Sequence, residues 1–80
     1  MSNDTPNLQD SVRESMRVYF NDLDGTDPTN LHDMLVKAVE KPLLEMVMER
    51  AQNNQSRAAQ WLGLNRNTLR KKLLEHGLAE

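Results

Sequence analysis

Apolar residues along the chain recur at helical spacing, and the alternation of a strand is missing. Val12, Met16, Tyr19, Phe20 and Leu23 follow i, i+4, i+7, i+8 and i+11, the stripe of an amphipathic helix. Two starts are open to it: Asn7 as a cap, or Ser11 with Glu14 three residues on as a capping box. Gly25 stops it, and Asp24-Gly25-Thr26-Asp27-Pro28 is turn chemistry throughout. Residues 1–7 are polar and are expected to form a disordered terminus.

A second helix is expected to start at Thr29 or Asn30 and to run to about residue 51. Leu31, Leu35, Ala38, Val39, Leu43, Met46 and Val47 mark its buried stripe, with Met34, Leu44 and Met48 beside it. One stripe suffices to cover one neighbour; this wider surface predicts contact on two sides, the second being another subunit. Pro42 cannot donate a hydrogen bond to the carbonyl of Ala38. The apolar register passes through it unshifted, which predicts one kinked helix rather than two.

Gln52-Asn53-Asn54-Gln55 reads as a turn, with Asn54 as the cap of a short helix holding Arg57, Ala58, Ala59, Trp61 and Leu62. Gly63 ends that helix, Leu64 is an apolar plug, and Asn65 caps a last helix through Arg66, Leu69, Leu73 and His76, closed by Gly77. Together, residues 55–74 read as a helix-turn-helix. Ala59 permits a close crossing, Gly63 the turn, and Leu62, Leu64, Leu69 and Leu73 pin the pair at a steep angle. Asn65, Arg66, Asn67, Thr68, Arg70, Lys71 and Lys72 remain on the outer surface of the last helix, as donors suited to base edges and phosphates. The organisation expected is therefore residues 1–7 as terminus, 8–51 as dimerisation helices and 52–80 as the helix-turn-helix, all within one all-α, four-helix domain.

Charge sharpens this picture. Residues 1–49 carry a balance of −6 and residues 50–80 one of +4, and from Arg50 to Leu74 six Lys or Arg occur with no Asp or Glu. A one-signed segment suggests a polyanionic partner. At 80 residues without cysteine, the chain has neither a disulfide framework nor a thiolate metal site to reinforce a small core. A second copy is the expected reinforcement. No apolar run exceeds three residues, so no membrane contact is expected, and the lack of cysteine fits a reducing cytoplasm. The only histidines, His32 and His76, lie far apart, and no enzyme activity or cofactor is expected. Carboxylates at Asp22–Asp27 are assigned turn and cap duty rather than a metal. Trp61 is read as a core or rim anchor, His76 as a partner for free carbonyls at its helix end, and the methionines as interface packing.

Glu40-Lys41-Pro42-Leu43-Leu44-Glu45-Met46-Val47-Met48, then Asn54-Gln55-Ser56-Arg57-Ala58-Ala59, then Gly63-Leu64-Asn65-Arg66-Asn67-Thr68-Leu69-Arg70-Lys71-Lys72-Leu73 closely resemble the Fis family of bacterial nucleoid proteins. The similarity begins near Leu8 and covers nearly all of the remaining chain. Related helix-turn-helix ends occur on sigma-54-dependent activators of the NtrC type, the alternative reading.

The resemblance implies an intertwined dimer core built from the first two helices, with Val12, Met16, Tyr19, Phe20, Leu35, Val39, Leu43, Met46 and Val47 as its candidate contacts. It implies a DNA-bending transcriptional regulator of the nucleoid, since the family's two recognition helices stand closer than the roughly 34 Å of one DNA turn. Carried over by position, Asn65 and Arg66 read base edges, Arg66 favouring guanine. Asn54, Ser56, Arg57, Thr68, Arg70 and Lys71 hold phosphates, and Gln55 and Lys72 complete the DNA-binding set. Ser56 stands where better-known members have threonine. The turn at 52–55 touches RNA polymerase in the family, and Asn53 there replaces a familiar glycine. Only about ten residues precede the first helix, where longer members carry a β-hairpin arm that stimulates DNA invertases, so that activity is expected to be absent. Leu74 and Glu75 replace basic residues, which predicts looser wrapping of flanking DNA. A helical interaction module with no DNA role is the third reading.

Overall fold

The computed structural model describes residues 4–79, with side chains from Asn7 onward. Those residues form four helices and no strand: α1 (Asp4–Leu23), α2 (Leu31–Arg50), α3 (Gln55–Leu62) and α4 (Arg66–Glu75). The chain divides into two compact units, Met1–Asn30 and Leu31–Glu80.

In the first unit, α1 begins at Asp4, ahead of both expected caps. Residues 4–7, expected within a disordered terminus, are its first turn; residues 1–3 lie outside the described residues. Pro6 is accommodated because amides of a helix's first turn have no intrahelical acceptor. Val12, Met16, Tyr19 and Leu23 are half-buried, whereas Phe20, expected in the same stripe, is 47% exposed. Phe20 meets Tyr19 edge-on, with ring centres 5.9 Å apart. Asp24 and Gly25 end the helix at φ 52° and 88°, both left-handed.

The second unit contains the core. Leu44, Ala51, Ala58, Ala59, Leu69 and Leu73 are buried together, and Val47, Met48, Leu62, Leu78 and Ala79 pack against them. One continuous α2 passes through Pro42, as the unshifted register predicts. Its inward face differs from the stripe read off the sequence. Leu44 is its one buried residue, while Val39, Leu43 and Met46 are 43%, 47% and 49% exposed. At about 100° per residue, Leu44 lies about 140° around the axis from Val39. Thus α2 carries two apolar faces: Leu44, Val47, Met48 and, just past its end, Ala51 pack in the core with α3 and α4, and the Val39–Leu43–Met46 face lies outside that core and is left exposed. At the other end Asn30 lies at φ 51°, so it does not adopt the extended backbone of a capping residue.

Three helix ends in this unit close in the same way. After α2, the amide of Asn53 donates to the Met48 carbonyl (2.8 Å) and that of Gln52 to Glu49 (3.1 Å). Leu64 and Gly63 do the same to Ala59 and Gln60, as do Leu78 and Gly77 to Leu73 and Leu74. These paired bonds are Schellman closures, which need a left-handed residue just past the helix. Gly63 and Gly77 supply it as expected, at φ 74° and 72°. After α2 the residue is Gln52 at φ 57°, followed by Asn53 at 62°, so two consecutive side chains accept a conformation usually left to glycine. The turn is therefore 51–54, and Gln55, placed in it by sequence, opens α3.

Candidate nucleic-acid interface

Both caps read from the sequence form. Asn54 Oδ1 accepts from the Arg57 amide at 3.1 Å, and Asn65 Oδ1 accepts from the Thr68 amide at 2.8 Å. Each cap satisfies one amide of a first turn and leaves others to point outward, where the helix dipole favours an anion. With Oδ1 so used, each asparagine keeps its amide NH2 as a side-chain donor. The starts of the two helices are also joined: Arg66 Nη1 donates to Ser56 Oγ at 3.2 Å. Ser56 and Arg66, ten positions apart, thereby lie side by side at one end of the helix pair.

Around this join Asn54, Ser56, Arg57, Asn65, Arg66, Asn67, Arg70 and Lys71 are exposed, while Gln55 and Thr68 are half-buried. Among the described residues, none of Arg50, Arg57, Arg66, Arg70 and Lys71 forms an ion pair. By contrast Arg13, Arg17 and Lys37 pair with Asp10, Glu14 and Asp33 along their own helices, at 2.9, 2.6 and 3.4 Å. Arg57 lies over the ring of Trp61, 5.9 Å from its centre, on the outside of α3. Trp61 is 55% exposed, which removes it from the core role.

Lys72 departs from its expected place in the DNA-binding set. Its ammonium donates to Glu40 Oε2 at 2.8 Å, and His76 Nε2 sits 2.9 Å from Glu40 Oε1. Lys72 is turned back onto α2 because it sits one turn before His76 and three residues after the buried Leu69, on the flank of α4 that meets α2. His76 likewise serves this carboxylate rather than the free carbonyls of its helix end. Hydrogen bonds from Lys72 and then His76 hold the Glu40 carboxyl below its ordinary value, against the opposing effect of partial burial. The bond to Glu40 raises Lys72 in turn, against its own desolvation.

Nothing in the sequence ties Glu40 to its partners, 32 and 36 positions away, beyond its place one turn before Leu44 on the inward face. Among the described residues no group of three or more His, Asp or Glu is arranged to hold a metal. No helix among them is long and apolar enough to cross a membrane.

Two capped helices, crossing over buried alanines and leucines and turning exposed cations outward, define a helix-turn-helix protein. The family model described as "Bacterial regulatory protein, Fis family" matches residues 35–76. A Fis-like protein of Ralstonia nicotianae is 58% identical over 71 residues, 89% of this chain and 92% of that one. The "DNA-binding protein Fis" of Proteus mirabilis is 48% identical and that of Glaesserella parasuis 46%, each over 89% of this chain and 72% of the relative. The chain belongs to the Fis family. Its relatives bear the names of DNA-binding proteins and not of enzymes, in keeping with the expectation that it is not an enzyme.

Proposed function

We propose that the chain is a homodimeric DNA-binding and DNA-bending regulator that acts on the bacterial nucleoid. The observation carrying this reading is the set of cations, Arg57, Arg66, Arg70 and Lys71, unpaired among the described residues and exposed on a helix-turn-helix whose two helix starts are joined by the Arg66–Ser56 bond. Cations without carboxylate partners exchange mobile counterions for phosphates, and the released counterions drive binding. In this reading Arg66 and Asn65 reach base edges, with the Arg66 fork matching guanine O6 and N7. Ser56, Arg57, Thr68, Arg70, Lys71 and the Asn54 amide hold phosphates.

The second apolar face of α2 and the apolar residues of α1 supply the surface for a second copy. Val39, Leu43 and Met46 would be covered there, together with Leu35, Val12, Met16, Tyr19, Phe20 and the part of Val47 that the core leaves exposed. With the recognition helices set, as the family resemblance implies, closer than one turn of straight DNA, roughly 34 Å, such a dimer would require a bent target. Preference for A/T-rich centres follows from the ease of compressing their minor groove. The left-handed pair Gln52–Asn53 presents the turn that touches RNA polymerase elsewhere in the family, and we assign it the same contact.

Titration of DNA binding against salt and base substitution tests the reading. Arg66→Ala should cost about 1–3 kcal/mol on a matched duplex and little on one lacking its guanine, whereas Lys71→Ala should weaken both alike. Equal losses on both duplexes for both variants, or affinity that does not fall with salt, would contradict it.

A further inference from the structure

Glu40 joins α2 to the far end of α4, and the interface described above leaves this junction unused. Each carboxylate oxygen takes one partner: Oε2 receives the Lys72 ammonium at 2.8 Å and Oε1 faces His76 Nε2 at 2.9 Å. Lys72 in α4 and His76, its C-cap, are one turn apart, so a single carboxylate from another helix grips α4 at two levels. Sliding or turning α4 against α2 breaks one bond or the other. The grip is sheltered, with the side chains of Glu40, Lys72 and His76 only 17%, 31% and 10% exposed. Lys71 and Arg70, its neighbours in sequence, stand exposed and unpaired among the described residues. The basic run of α4 is thus divided by contact: two cations outward, the third held inward.

We infer that Glu40 is a positioning residue for DNA recognition: it withholds Lys72 from phosphate and fixes the recognition helix by its last turn. The inference rests on the DNA-binding reading above. It runs against simple charge counting, in which all three cations contribute alike. Removing the Glu40 charge frees a cation for indiscriminate phosphate binding while loosening the helix that carries Asn65 and Arg66. Non-specific affinity rises and discrimination falls.

The test measures affinity against salt for the full-length chain, using a duplex with an A/T-rich centre and a guanine in each half-site, and a second duplex with those guanines replaced. Lys72→Ala alone should leave the slope of log affinity against log salt unchanged. Glu40→Gln should steepen it by about 0.9 for each Lys72 that gains a phosphate, and should narrow the ratio between the duplexes. The double variant should return to the original slope but keep the narrowed ratio, a pattern that loss of fold alone does not produce. Lys72→Ala flattening the slope as Lys71→Ala does, or Glu40→Gln keeping the original slope, overturns the inference. If Glu40→Gln fails to fold, as circular dichroism would report, the Lys72→Ala slope decides by itself. An unsubstituted chain that binds neither duplex at low salt overturns the DNA-binding reading, and this inference with it. Binding by that chain with the wrong slopes overturns only this inference.

Discussion

Residues 31–79 bury six apolar side chains in a core shared by α2, α3 and α4 and the turn between the first two, and polar bonds tie these helices at Arg66–Ser56 and at Glu40. In residues 4–30, no side chain among those described is fully buried, and Leu8, Val18 and Phe20 are 62%, 51% and 47% exposed. Charges differ in the same way: the arginines of α1 are engaged by carboxylates one turn away, whereas those of the helix-turn-helix are unpaired among the described residues. In proteins most helical stability comes from packing an apolar face rather than from propensity. The later unit is thus built to hold its own shape and offer its cations outward. The earlier helix, like the outer face of α2, leaves apolar side chains exposed.

The largest effect expected from this contrast is at the uncovered face. Leu43→Glu would place a carboxylate in the proposed contact between copies, and burying an unpaired charge there costs several kcal/mol. Sedimentation equilibrium should show the unsubstituted chain as a dimer and the variant as a monomer; a variant that stays dimeric would remove Leu43 from the contact. At the covered face, Leu69→Ala deletes a fully buried side chain and should lower stability by about 2–5 kcal/mol in urea unfolding. A loss under 1 kcal/mol, by the same rule, would mean that the core closes over the gap. Asn65→Ala removes the cap of α4 and should cost about 1 kcal/mol. The smallest effect concerns pH. Because the Glu40 carboxyl is held below its ordinary value of 4.5 in the folded chain, its contribution is present above that value and fades as pH falls through the lowered one. Glu40→Gln should therefore lose stability less steeply in acid; identical acid profiles for the two chains would deny the Glu40 bonds any share in folding.

The contrast was partly visible in the sequence, and the missing parts have physical causes. Local chemistry was legible: Asn54 and Asn65 as caps, Gly63 and Gly77 as left-handed closures and the unbroken register through Pro42 all depend on residues within about one turn. That α2 carries more apolar surface than one neighbour covers was also legible, from the width of its apolar surface. Which of its faces meets α3 and α4 was not, because periodicity ranks the faces only by their count of apolar residues. Leu44, set beside the stripe by that count, proved to be the anchor. The start of α1 was missed because the polar residues before Leu8 carry no stripe, although Pro6 suits a first turn. Gln52 in the left-handed region has no compositional signal, since its backbone is set by closing α2 and reaching Asn54. In the interface the donors were legible as residue types, but the withdrawal of Lys72 was not. It depends on Glu40, brought near only when α4 packs on α2.

The central claim is that these two parts, one covered by a second copy and one turned to DNA, together bend the duplex. The most direct measurement is the gel mobility of the purified chain on circularly permuted fragments carrying one A/T-rich-centred site. Mobility that varies with the position of the site, and is lowest with the site at the middle of the fragment, is the result predicted. Binding with mobility independent of position, or no binding at low salt by a folded dimer, would contradict the account.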